Sequence, residues 1–156
     1  IAQTASSDMT FETIARVAEE AREAAMEGSD GVVVMHGTST MEESAYYLDV
    51  CLDLDVPILF TGAQRRPDQP SSDGAANFRD AVQTATAPEF HPDDGVYVVL
   101  NNEIHHARDV TKIHSFKLDG FESPAAGPVG TIRPKGITLH RELGSRSATI
   151  PVARSS

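Results

Sequence analysis

The sequence predicts an α/β domain in which a mainly parallel sheet is flanked by helices, giving three layers. Two observations carry this. Helix-like and strand-like segments alternate through residues 11–101, the order that right-handed crossovers turn into a layered sheet. The strand-like segments are also short, continuous β-branched runs without polar alternation, as strands covered on both faces should be. A length of 156 residues suits one domain with its own core.

In order along the chain, Phe11, Ile14, Ala15, Ala18, Ala21 and Ala25 recur at helical spacing, with Glu19, Glu20 and Arg22 between them and Gly28 as a stop. "GVVVM" (31–35) reads as a strand buried on both faces. Thr40 and Glu43 read as a capping box opening a second helix, with Tyr47, Leu48 and Cys51 on its apolar side and an end near Leu54. "VPILFTGA" (56–63) is a second strand. A Pro-rich loop follows, then a helix over 72–85 that Asp73 and Asn77 are expected to cap and tie to its loops. "GVYVVLN" (95–101) is a third strand. Beyond residue 103 the pattern loosens into short strands and turns through the Gly- and Pro-rich stretch 120–130, with weak strand signals at 137–140 and 148–152. The domain is drawn at 1–132, with 133–156 a tail or the start of a linker.

The formal charge of −10 and only three lysines, Lys112, Lys117 and Lys135, make nucleic acid a poor direct partner. Such an acidic, Lys-poor surface suits a salt-rich cytoplasm and an ordinary bacterial protein equally. A lone Cys51 excludes an internal disulfide and reads as a buried thiol. No apolar run approaches the roughly 18 residues of a membrane span, and the visible N-terminus lacks a signal-peptide core. The expectation is a cytoplasmic protein. The chain begins at Ile1, not Met, and reads as a fragment, so a secreted or periplasmic location stays open.

In layered α/β sheets, ligands sit beyond the carboxyl ends of the strands. Those ends are His36-Gly37-Thr38-Ser39, Thr61-Gly62-Ala63 and Asn101-Asn102. Gly37 and the hydroxyls after it permit two readings. One is a tight turn whose Thr38, Ser39 or Thr40 caps a helix. The other is a site where free N–H groups and the positive helix end attract a carboxylate or an oxyanion. A hydroxyl there is a nucleophile if a base activates it, and Lys112 in "ARDVTK" is one candidate. His36 reads as structural, packing behind Thr38. His105 and His106 beside Glu103, with His36 and His114 elsewhere, lack the HExxH spacing of a zinc helix, and no metal is expected. Arg65 and Arg66 read as a solvated loop. A nucleotide-binding reading fails for want of a Gly-rich phosphate loop.

"GVVVMHGTSTMEESAYYL" resembles the second signature of the bacterial-type L-asparaginases, in which a strand leads into His-Gly-Thr-Asp-Thr. "TGAQRRPDQPSSDGAANFRDAV" is similar to the family's Gly-Ala-x-Arg-Pro and Ser-x-Asp-Gly-x-x-Asn segments. "VVLNNEIHHARDVTKIHSFKLDGFESPAAGPVG" resembles its Asn-Asp-x-Ile, Ala-Arg-x-x-Thr-Lys and Phe-x-Ser-x-x-x-Gly-x-x-Gly region, and "TASSDMT" (4–10) its substrate loop.

The resemblance spans residues 4–132 in the right order. It implies an asparaginase N-terminal-type three-layer domain that hydrolyses the side-chain amide of asparagine, and often glutamine, through a Thr acyl-enzyme without metal or cofactor. By position, Thr38 matches the second catalytic Thr and Lys112 the Lys that activates it. Ser6 and Ser7 fall on the loop that holds the substrate, and Gly37 and Ala63 supply backbone contacts. The implied partner is a small-molecule substrate, with no membrane contact and a homo-oligomeric assembly, dimer or tetramer.

Two departures stand out. The family's opening strand and flexible loop, with the Thr held to be the primary nucleophile and its Tyr partner, and its smaller C-terminal domain are not in this sequence. Ser39 also stands where the family has an Asp that faces the substrate's ammonium and the Lys, which implies weakened or altered activity. Two rivals follow: an inactive homologue that binds asparagine or aspartate as a sensor, and the glutamine-hydrolysing subunit of a tRNA-dependent amidotransferase.

Overall fold

Thr10 starts the first helix. Its backbone is extended and its hydroxyl accepts from Thr13 N at 3.3 Å, an N-cap contact that satisfies an otherwise orphaned donor. The computed structural model describes residues 6–91, 94–144 and 150, with Ser6 described by its backbone alone. Helix α1 (Phe11–Met26) buries Ile14, Val17, Ala18 and Ala21, the stripe of three- and four-residue spacings that faces a core. The face expected to include Phe11, Ala15 and Ala25 is therefore corrected. Ala15 lies one step of about 100° off the stripe and is exposed, Ala25 is half-buried, and Phe11 is 75% exposed, its ring 6.3 Å from that of Tyr47.

The remaining elements are β1 (Val32–Met35), α2 (Met41–Cys51), β2 (Ile58–Thr61), α3 (Gly74–Ala85), β3 (Val96–Leu100), β4 (Glu103–His106), β5 (Thr111–Lys112), β6 (Phe121–Glu122), β7 (Gly130–Arg133) and β8 (Gly136–Leu139). Six strands form one mixed sheet in the order β1-β2-β3-β4-β7-β8. β1, β2 and β3 pair in parallel, and the later pairings are antiparallel.

Strand periodicity assigns the layers, because successive side chains point to opposite faces. Ile58, Phe60, Val96, Val98 and Leu100 pack with α1 and α2 in one core. Leu59, Tyr97 and Val99 pack with Ala81 and Ala85 of α3 in the other. Every residue of β2 and β3 is buried, which is why those runs show no alternation. β1 carries the same composition but differs in environment. Among the described residues it is the edge of the sheet, with Val32, Val33 and Val34 half-buried and Met35 54% exposed, so the strand expected to be covered on both faces is only partly covered there.

The parallel half ends at Asn101-Asn102. Both residues have positive φ, 51° and 62°, and Leu100 pairs with Glu103. That is a two-residue type I′ hairpin, a turn Asn tolerates. This strand end is therefore a reversal into β4 and not the start of a helix.

α2 ends at Cys51, before the expected Leu54, and Thr40 makes no side-chain cap hydrogen bond, so the Thr40 half of the predicted capping box is absent. Cys51 is a free thiol and half-buried, with its pKa pushed up chiefly by burial. Across residue 132, β7 and β8 pair as a hairpin of the main sheet. The boundary expected at 132/133 falls inside that hairpin, while the strand signal at 148–152 lies outside the described residues apart from Ile150.

Candidate active site

β1 runs into His36, whose backbone N–H is bound by Thr61 O at 2.8 Å. The chain must turn there to enter α2, and Gly62 lets it pass close to β2. A Cβ on Gly62 would sit 2.1 Å from His36 O and 2.9 Å from Met41 Cε. His36 is 8% exposed, its Nδ1 lies 2.7 Å from Gly37 O and its ring 5.7 Å from that of Phe60. Burial pushes its pKa down, so the ring is neutral. With Nδ1 donating to Gly37 O, the buried Nε2 has no partner among the described residues. His36 thus packs behind the turn.

Thr38 is half-buried, and Gly37 and Ser39 are exposed. Lys112 reaches the turn from β5, 74 residues further on, and its Nζ donates to Thr38 Oγ1 at 2.7 Å. The amine also lies 5.9 Å from the centroid of the Phe121 ring. Burial lowers the pKa of Lys112, and the Glu42 carboxylate partly opposes it. A desolvated amine bonded to a hydroxyl can take that hydroxyl's proton.

The hairpin that carries Lys112 is held on three sides. β5 pairs with β6, Lys112 opposite Phe121. His105 Nδ1 lies 2.9 Å from Ser123 Oγ, which ties the residue after β6 to β4. Gln64 Nε2 donates to His114 O and Lys117 O at 3.1 and 2.8 Å, and Ile113 N and His114 N both donate to Gly120 O. Gln64 follows Ala63, so the loop after β2 and the loop after β5 are one unit.

A second knot sits under the same end of the sheet. Asn77 is 2% exposed and donates to Gly62 O and Asp73 Oδ2, each at 2.9 Å, while Asn101 N donates to its Oδ1 at 3.0 Å. Asp73 accepts from the backbone of Gln64 and Arg65. It stands at the N-cap of α3 without a cap hydrogen bond; the loop-tying expected of Asp73 and Asn77 is present, the capping is not.

A groove of about 350 Å³ runs along the open edge of β1, between Met9, Thr13, Val17 and Ala21 and the segment Val32–Gly37. It reaches Gly37 and stops short of Thr38 and Lys112, so it flanks the pair. The groove brings the segment after Ser7 alongside the turn. Ser7 itself is exposed and donates to Asp8 at 3.3 Å; the side chain of Ser6 lies outside the described residues. Ala63 is half-buried at the end of β2.

Residues 1–144 match the family described as Asparaginase, N-terminal. The chain belongs to the asparaginase family. Among curated asparaginase-family relatives, it is 40% identical to an L-asparaginase of Bacillus licheniformis over 76% of this chain and 37% of that protein. It is equally 40% identical to a glutamyl-tRNA(Gln) amidotransferase subunit of Haloquadratum walsbyi, over 86% of this chain and 31% of that one. The solved structure of a probable cytoplasmic L-asparaginase from Campylobacter jejuni superposes with a TM-score of 0.91 at 35% identity, covering 98% of this chain and 49% of that chain. The chain thus spans roughly a third of the length of these curated relatives.

Glu42 was missing from the expected asparaginase-type site residues. It occupies the first turn of α2, where acidic residues suit the positive helix end. It accepts from Thr111 Oγ1 at 3.2 Å and from the backbone N–H of Lys112. Nothing local marks it out beside Glu43, because its partners lie 69 and 70 residues away. His105 and His106, considered for a metal, are engaged instead by Ser123 Oγ and by Asp94 O.

Proposed function

We propose that this chain carries the Thr38–Lys112 catalytic pair of an amidohydrolase that converts the side-chain amide of L-asparagine, and of glutamine, to a carboxylate and ammonia. The single observation that carries the reading is the 2.7 Å contact from Lys112 Nζ to Thr38 Oγ1 at the carboxyl end of β1.

The chemistry follows from the geometry. In its deprotonated form, which burial favours, Lys112 takes the Thr38 proton as the hydroxyl oxygen attacks the amide carbon. Backbone N–H donors at the positive end of α2 are the groups we assign to the resulting oxyanion. The amine then returns the proton to the leaving nitrogen, ammonia departs, and an acyl-enzyme remains. Water repeats the sequence and releases the acid. Gly37 and Ala63 offer backbone contacts to the substrate, Ser6, Ser7 and Ser39 offer hydroxyls, and no step calls for a metal or cofactor.

The 40% identity to the Haloquadratum amidotransferase component favours a second reading, glutamine hydrolysis that feeds ammonia to a tRNA-bound reaction through a partner protein. The lysine-poor surface with formal charge −10 would leave the RNA to that partner. We also propose a cytoplasmic homo-oligomer. Support comes from the Campylobacter protein, named cytoplasmic, against a Haemophilus influenzae relative named periplasmic.

Ammonia release by the full-length protein separates these. Turnover of asparagine by the protein alone is the expected result. Turnover of glutamine only with an RNA-binding partner would move the assignment to the amidotransferase. Calorimetric binding of asparagine or aspartate without turnover would make the protein a sensor.

A further inference from the structure

We infer that Glu42 is a positioning residue of the site: from the start of α2 it clamps β5 at the Thr111 hydroxyl and the Lys112 backbone N–H, so that Lys112 is held against Thr38. The inference rests on the amidohydrolase reading for its purpose, but the contact stands on geometry alone.

The hairpin's other ties to the main sheet, His105 to Ser123 and Gln64 to His114 and Lys117, fall outside β5 itself. Thr111 and Lys112 pair only with Glu122 and Phe121, and that small sheet is separate from the six-stranded one. Glu42 bridges the gap. One carboxylate oxygen takes the Thr111 hydroxyl and the other the Lys112 N–H, so a single side chain at the start of α2 holds β5 by both. Thr38 lies four residues before Glu42, in the turn that leads into the same helix. Both ends of the Lys112–Thr38 contact are therefore referred to one helix terminus, and a charge-assisted contact of this kind is stronger and shorter than a neutral one.

α2 contributes the Glu42 carboxylate, the turn the Thr38 hydroxyl, and β6 the buried Phe121 ring, while Glu122 on β6 is exposed opposite Thr111. Glu42 is the charge that acts on Lys112, and it favours the protonated amine against burial. Removing the charge while keeping the shape must therefore make the amine easier to deprotonate.

The test is the titration of Lys112 Nζ, followed by NMR of the full-length protein labelled at lysine side-chain carbons and assigned by loss of one signal in Lys112→Arg. Glu42→Gln is expected to move the Lys112 midpoint down by about one unit, the bottom of the range for an opposite charge nearby because the amine is partly exposed. Glu42→Asp, which keeps the charge, is expected to restore most of the midpoint, while its shorter reach lowers kcat for ammonia release and leaves KM near the parent value. An unmoved midpoint in a folded Glu42→Gln protein overturns the inference. If Glu42→Gln does not fold, the parent decides. The Lys112 amide nitrogen is expected to show a through-hydrogen-bond coupling to the Glu42 carboxyl carbon, and the absence of that coupling overturns the inference. None of these NMR readouts needs turnover, so a protein that releases no ammonia would refute the amidohydrolase reading and leave the clamp to be judged separately.

Discussion

Asn77→Ala should be the most damaging single change at the strand ends. Asn77 is 2% exposed and its amide joins three segments: the end of β2 through Gly62 O, the start of α3 through Asp73, and the β3–β4 turn through Asn101 N. Truncation leaves Gly62 O and Asn101 N without their partner, and Gly62 is buried. Each buried orphan costs about 1–3 kcal/mol. Asp73 keeps its two backbone contacts, so its loss is small. The expected total is about 3 kcal/mol, or a Tm lowered by about 6–12 °C at the roughly 2–4 °C per kcal/mol of a domain this size. Urea unfolding at neutral pH reads the free energy and a thermal melt the Tm. Asn77→Asp should cost at least as much, because its carboxylate cannot donate to Gly62 O and faces Asp73 across 2.9 Å. A loss below about 1 kcal/mol for Asn77→Ala would refute the reasoning, because it would mean water replaces the amide at no cost.

Gly62→Ala should destabilise by about 1–3 kcal/mol in the same unfolding assay, since the new methyl meets His36 O at 2.1 Å; a neutral result would show the turn free to move. His105, held at about 4 by burial in place of the ordinary 6.5, is neutral in the fold. Its contribution is fully present above pH 6.5 and is lost as pH falls towards 4, where the unfolded chain takes the proton. Urea unfolding at pH 7 and pH 4.5 should therefore show a pH-dependent loss about 2–3 kcal/mol smaller in His105→Gln than in the parent. Ser39→Asp should raise ammonia release about tenfold, less than a buried charge would give because position 39 is exposed. A variant no better than the parent would refute the idea that the missing charge limits the reaction.

The parallel half of the fold was readable because its strands are continuous apolar runs and its helices end at Gly or polar turns. β1 misled for the same reason: "VVVM" has the composition of a central strand, and composition does not report that no neighbour among the described residues covers its edge. The antiparallel half was barely readable, since β5 and β6 are two residues each and strands that short have no period to detect. Thr38 and Lys112 were identified by their motifs and not by any spacing. Glu42 was missed because a first-turn Glu has a sufficient local explanation in the helix dipole, while its decisive contacts are to a segment 70 residues away. Thr40 failed in the opposite direction, matching a capping pattern that the turn geometry does not use.

A double-mutant cycle on ammonia release by the full-length protein, with Thr38→Val, Lys112→Met and both together, bears most directly on the Thr38–Lys112 pair. If hydroxyl and amine act as one unit, each single change should cut kcat/KM by about a hundredfold or more, and the double variant should be no worse than the poorer single. Multiplying losses, or a single variant as active as the parent, would show that the 2.7 Å contact is not where the reaction is driven.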